Sequence, residues 1–170
     1  MNAHVPSTTW ETPHRYAMRV YYEDTDAGGI VYYANYLRFI ERARTEALRD
    51  LGIPHADLVA QFGVMFVVRR VEMDYLLPAR LDDLLSVTTA AEDIGGASLL
   101  LRQDVFAADA TMLATARVRL ACVGTTENRP KRMPPAWRAK LHSLRPATGA
   151  AAPRNEYAAT QQNMNIRSGL

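Results

Sequence analysis

One cysteine, Cys122, stands among 170 residues. A disulfide within the chain is therefore impossible, and a reducing compartment is the natural setting. Charge of one sign is scarce as well: 20 Lys and Arg against 18 Asp and Glu leave a formal net charge of +2. That balance does not argue for nucleic acid, and no basic patch is interleaved with aromatics. No apolar run approaches the roughly 18 residues that a membrane helix needs. The first dozen residues lack the charged-then-apolar pattern of an export signal. A soluble, cytoplasmic protein is expected. The four histidines, His4, His14, His55 and His142, are scattered. No two have metal-ligand spacing, so neither a metal nor a redox cofactor is expected. No serine sits in a nucleophile elbow, and there is no glycine-rich phosphate loop.

What is present begins at Tyr21. Two carboxylates, Asp24 and Asp26, precede the pair Gly28-Gly29 and then Ile30-Val31-Tyr32-Tyr33-Ala34-Asn35. A glycine pair suits a turn whose backbone must come close to another group. A helical period follows, with Tyr36, Ile40, Ala43, Ala47 and Leu51 on one stripe and Leu37 and Leu48 flanking it. Gly52 and Pro54 stop this helix. A loop bearing carboxylates thus runs straight into a helix N-terminus, where free N–H groups favour negative charge.

Around this centre the chain reads as one domain. Residues 1–13 carry no period and are expected to be mobile. Arg15 to Tyr22 alternates as a strand, with Tyr16, Met18, Val20 and Tyr22 on one face. Pro54 to Gln61 suits a short helix. Four further strand patterns run over Val64–Tyr75, Leu84–Ala91, Ala97–Ala107 and Met112–Val123, the first two separated by Pro78-Ala79-Arg80 and the next pair by Gly95-Gly96. Their short connections imply antiparallel pairing. One strand, a long helix and four strands predict an α+β architecture, with the sheet covering the helix stripe. Leu100, Phe106 and Leu113 fall on the outward parity and hint at oligomerisation. Pro135 opens a short helix presenting Trp137, Leu141 and Leu144. From residue 146 the composition turns to Ala, Asn, Gln and Ser, which predicts a disordered tail. The domain is expected over 14–145.

Spacing alone leaves two readings for Asp26. It could cap a turn through its own backbone, or act on a carbonyl whose oxygen is held by helix amides. Outward Arg117 and Arg119, with Arg129, Lys131 and Arg132 nearby, could bind phosphates or simply be solvated. Glu41 could reach the loop or pair with a surface arginine. Cys122, on an inward parity, reads as core.

Tyr21 to Tyr36, followed by Phe39, Glu41, Arg42, Arg44 and Glu46, closely resembles the signature of the tol–pal-associated (YbgC-type) acyl-CoA thioesterases, relatives of 4-hydroxybenzoyl-CoA thioesterase. Tyr75 to Asp83 resembles a second segment of that family, and the likeness runs from Arg15 to Pro134. It implies a hotdog fold, in which an antiparallel sheet wraps one long central helix. It implies hydrolysis of acyl-CoA, or of an acyl group on an acyl-carrier protein, by a homo-oligomer (dimer or tetramer) with sites at the dimer interface. Asp26 falls on the family's catalytic aspartate, as nucleophile or general base. The backbone N–H of Tyr33 falls on the oxyanion donor, and Gly29 on the glycine that admits substrate. Many tol–pal-type members carry histidine where this chain has Tyr33, whereas the 4-hydroxybenzoyl branch carries tyrosine. Two other functions compete. An enoyl-thioester hydratase of this fold wants a histidine five residues after the aspartate, where this chain has Val31. A non-catalytic partner of acyl carriers or envelope-lipid enzymes would not need the intact Asp26 and Gly29.

Overall fold

The structure, a computed structural model, describes residues 13–146. The expectations for residues 1–12 and 147–170 lie outside the described residues. Ten elements follow one another. They are β1 (His14–Arg19), a 3-10 turn over Tyr22–Asp24, α1 (Asn35–Asp50), α2 (His55–Phe62), β2 (Val64–Tyr75), β3 (Leu84–Ile94), β4 (Ser98–Ala107), β5 (Met112–Gly124), α3 (Pro135–Leu141) and a closing 3-10 turn (His142–Leu144). The strands form one antiparallel sheet in the order β1-β3-β4-β5-β2.

Alternation builds the sheet. Leu85, Val87 and Ala91 of β3 are buried, as are Leu99, Leu101 and Val105 of β4 and Ala114, Ala116, Val118, Leu120 and Cys122 of β5. They share one core with Tyr36, Phe39, Ile40, Ala43, Ala47 and Leu48 of α1. At 16 residues α1 is the longest helix among the described residues, about 24 Å. The helical layer is not α1 alone, because Leu58 of α2 and Trp137, Leu141 and Leu144 at the C-terminal end join the same core. Gln103 and Thr89 occupy core positions of the pleat despite their polarity. Gln103 Nε2 donates to Thr89 Oγ1 at 2.9 Å and to the Ile40 carbonyl of α1 at 2.8 Å, tying helix to sheet.

Several expectations need correction. Strand β1 ends at Arg19, and Tyr22 is exposed. The alternation breaks because Asp24 Oδ2 accepts the N–H of Tyr21 at 2.9 Å and curls the chain into a turn. In α1 the stripe is rotated: Leu37 is exposed, and Phe39 is fully buried in its stead. β2 does not pair with β3. It crosses to the far side of β5, and β1 takes the other flank of β3. The outer sheet face is not the apolar surface expected. Leu113 is buried, Leu100 and Phe106 are half-buried with the Arg15 guanidinium 5.6 Å from the Phe106 ring centroid, and Arg102–Asp104 and Arg117–Glu92 ion pairs stand among them. Unpartnered apolar surface lies instead along the edge strand β2, where Val68, Val71 and Tyr75 are 48%, 37% and 47% exposed.

Candidate active site

The segment Thr25–Val31 is a closed loop. Thr25 and Val31 form an antiparallel bridge, the N–H of Asp26 donates to the Ile30 carbonyl at 2.9 Å, and the N–H of Gly29 donates to the Asp26 carbonyl at 3.0 Å. Gly29 completes the turn with φ +73°, in the left-handed region where only glycine sits without strain. A Cβ there would meet nothing within 4 Å, so the surface beside Gly29 is open.

Asp24 and Asp26 have different fates. Asp24 is buried, and its carboxylate caps the preceding turn. Its carbonyl accepts the N–H of Tyr32 at 2.8 Å and Asn35 Nδ2 at 2.9 Å. Asp24 therefore anchors both ends of the loop to the start of α1. Asp26 is exposed. Its Oδ1 accepts the N–H of Gly28 at 2.8 Å, while Oδ2 has no hydrogen-bond partner among the described residues. The turn-closing reading of Asp26 therefore holds for Oδ1, and Oδ2 remains exposed beside it.

The second motif packs against the first. Val31 donates its N–H to the Ala79 carbonyl at 2.8 Å, Tyr36 Oη accepts the Ala79 N–H at 3.0 Å, and Ile30 bridges Arg80. Tyr75 Oη donates to the Tyr33 carbonyl at 3.1 Å. Its ring stands edge-on to Tyr33 and Tyr36, with centroids 6.3 Å and 5.5 Å apart. A pocket of about 230 Å³ opens here, lined by Ile30, Val31, Tyr33, Tyr36, Tyr75 and Leu77 among others. Its aromatic and aliphatic walls suit an apolar group.

Tyr33 is not itself the first residue of α1. Asn35 begins the helix because its N–H closes a turn on the Tyr32 carbonyl at 2.8 Å. Tyr33 lies in that turn, 60% exposed, and its N–H has no acceptor among the described residues. Asp26 stands within the bridged loop and the Tyr33 amide in the turn that follows it, each with an unused hydrogen-bonding group among the described residues. The Tyr32 phenol is held above its ordinary pKa, first by the adjacent Tyr33 side chain, whose ring centroid lies 4.7 Å away, and then by slight desolvation and the Asp26 carboxylate.

Other sequence candidates fall away from this site. Glu41 accepts a hydrogen bond from Thr45 Oγ1 at 3.0 Å on the exposed face of α1, and its charge acts on Arg44 without forming an ion pair among the described residues. His14 is buried on β1 with Nε2 2.9 Å from Asp50 Oδ2. No group of three His, Cys, Asp or Glu among the described residues could hold a metal, and no described helix is long and apolar enough to cross a membrane. Sequence reasoning left Gly28 and Tyr75 out of the site. Gly28 was legible as half of the Gly-Gly pair, and Tyr75 as the head of the second motif.

Comparison with known proteins agrees in family and fold. Residues 20–141 match the model of the thioesterase-like superfamily. An acyl-CoA thioesterase YbgC of Haemophilus influenzae is 43% identical over 130 residues, 76% of this chain and 95% of the relative. An acyl-CoA thioester hydrolase YbgC of Escherichia coli is 45% identical over 123 residues, covering 72% and 91%. The crystal structure of a probable thioesterase from Bartonella henselae superposes with a TM-score of 0.69 at 37% identity, over 72% of this chain and all of that one.

Proposed function

The chain belongs to the thioesterase-like superfamily, and from that premise we propose that it hydrolyses acyl-CoA thioesters at the loop bearing Asp26. The observation that carries the reading is the pair of unused groups on the bridged loop and on the turn that leads from it into α1, Asp26 Oδ2 and the Tyr33 N–H. A thioester carbonyl oxygen received by the Tyr33 amide gains a donor aimed where negative charge develops. One such donor typically contributes about 100- to 1,000-fold in rate. Asp26 then acts on the carbonyl carbon, as nucleophile or as general base toward water. Hydrolysis breaks the C–S bond, and the products are the free acid and the CoA thiol. Gly29 leaves the approach open, and the aromatic pocket takes the acyl group.

The edge strand argues for a homo-oligomer. β2 presents unpaired backbone groups and exposed Val68, Val71 and Tyr75, which a second copy would cover. A cytoplasmic setting and use of acyl-carrier protein as an alternative carrier fit the single cysteine and the thioester chemistry. The hydratase reading fails on Val31, which is buried, aliphatic and without proton chemistry.

The test is thiol release from short aliphatic, long aliphatic and benzoyl CoA esters, wild type beside Asp26→Ala. Turnover is expected to fall at least about 100-fold with an unchanged melting temperature. Equal turnover in the variant removes Asp26 from the mechanism.

A further inference from the structure

Asn35 opens α1, yet its side chain is only 6% exposed. Burying an amide costs free energy unless its polar atoms find partners. Asn35 Nδ2 donates to the Asp24 carbonyl at 2.9 Å, and the Glu23 carbonyl stands 3.5 Å away. Both neighbours are acceptors, so only the nitrogen of the amide fits against them. The bond joins the head of the helix to the arm of chain that leads into Asp26.

This bond closes a ring around the Tyr33 amide. The Asp24 carbonyl also accepts the N–H of Tyr32 at 2.8 Å, and the Tyr32 carbonyl accepts the N–H of Asn35 at 2.8 Å. The Tyr32 carbonyl and the Tyr33 N–H belong to one peptide unit. That unit is planar and trans, so the two groups point in opposite directions. Whatever holds the carbonyl therefore aims the N–H. The Asn35 backbone holds the carbonyl, and the Asn35 side chain fixes the held peptide against Asp24, two residues before Asp26. On the far side, Tyr75 Oη donates to the Tyr33 carbonyl at 3.1 Å. The turn is thus pinned at both carbonyls, and the Tyr33 N–H between them has no acceptor among the described residues.

We infer that Asn35 is a positioning residue for thioester hydrolysis, its side-chain amide setting the Tyr33 N–H in register with Asp26. The inference rests on the thioesterase reading above and deepens it. Asn35 is buried and its nitrogen is committed to the arm, so it acts through that N–H and not on the substrate. An alanine at this position leaves the Asp24 carbonyl bonded to Tyr32 and leaves the hydrogen bonds of α1 in place. What it removes is the tie between the helix head and the arm. The donor then drifts from the point where the carbonyl oxygen gains charge, and such a donor is worth most when it is held there beforehand.

The test uses an acyl-CoA and its dithioester analogue, in which sulfur replaces the carbonyl oxygen and accepts hydrogen bonds weakly. Asn35→Ala removes the amide. Asn35→Asp keeps its shape and turns a carboxylate oxygen toward two carbonyls. Both are expected to lower kcat for the thioester about tenfold or more, with KM within about twofold of wild type. The dithioester makes little use of the donor, so its kcat should fall by less than about threefold. Circular dichroism melts establish which variants are folded at the assay temperature, and Asn35→Ala decides where Asn35→Asp is not. A thioester kcat within about twofold of wild type in the folded variant overturns the inference. So does an equal loss on both substrates, which assigns Asn35 a structural role alone. A wild type that cleaves no acyl-CoA overturns the thioesterase reading, and the inference with it.

Discussion

The N–H of Gly28 donates to Asp26 Oδ1 at 2.8 Å, and a Cβ on Gly28 would stand 3.1 Å from that same oxygen. One carboxylate oxygen is thus held by a backbone group that tolerates no side chain at normal contact distance. The bond aims the carboxylate and leaves Oδ2 without a hydrogen-bond partner among the described residues.

Gly28→Ala therefore tests aim without removing the carboxylate. Gly28 has an ordinary φ, unlike Gly29, so the folded backbone accepts alanine there. The added methyl displaces Asp26 Oδ1 by a few tenths of an ångström, a fraction of the ~1 Å shift that can cost on the order of 100-fold at a reacting group. The expected outcome is kcat reduced by about three- to tenfold with the melting temperature unchanged. Gly29→Ala should do the reverse, lowering stability by about 1 kcal/mol through its left-handed φ and leaving Asp26 in place. Thermal melts and steady-state kinetics on the two variants separate aim from strain. Equal kinetic losses in both would refute the distinction.

Much of this fold was readable from period and punctuation. Strand positions from Leu85 to Cys122 alternate as the pleat demands, and Gly52, Gly95 and Pro135 mark ends that the structure keeps. What failed to show was set by contacts remote in sequence. β2 and β3 are joined by a short connection, yet β2 pairs with β5, because pairing depends on which edges remain free once β3, β4 and β5 have formed hairpins. Tyr22 continues the period of β1 on paper, but the Asp24 carboxylate turns the chain before it. Gln103 looks like a break in the pattern of β4 and is a core residue, because the Ile40 carbonyl and Thr89 hydroxyl give it partners. At the candidate site, the motif pointed to Asp26 and Gly29, which the fold sets on one bridged loop, and to Tyr33 in the turn after it. The hydrogen bond that ties Tyr33 to Tyr75 spans 42 residues and leaves no periodic trace.

That hydrogen bond yields a prediction about which part of Tyr33 matters. If its amide is the working group, Tyr33→Phe keeps it, and kcat should stay within about threefold of wild type. Tyr75→Phe keeps the edge-on ring packing against Tyr33 and Tyr36 but frees the Tyr33 carbonyl. Loss of one exposed neutral hydrogen bond corresponds to about 0.5–1.5 kcal/mol, or roughly two- to twelvefold. That loss should appear in kcat rather than KM, since it loosens the turn carrying the oxyanion donor. A larger loss in Tyr33→Phe than in Tyr75→Phe would assign the chemistry to the Tyr33 phenol and away from the amide.

Cys122 gives a prediction about pH. It is fully buried on β5 opposite Phe66, and burial pushes its thiol pKa above the ordinary 9.0, with Lys131 partly opposing. A thiol reagent at pH 8 should leave the folded protein unlabelled and react fully after denaturation. The linkage has a definite sign. Below the thiol's unfolded pKa, both states are protonated and the group adds no pH dependence. As pH rises through about 9.0, the unfolded chain ionises first and binds fewer protons than the folded one, so stability falls with pH. Cys122→Ala begins less stable, because it leaves a small cavity in the core. Its stability should nevertheless decline less steeply than that of wild type once pH passes 9.0. Urea midpoints measured from pH 7 upward check this, and parallel slopes for the two proteins would show that the thiol ionises as readily in the core as in the unfolded chain.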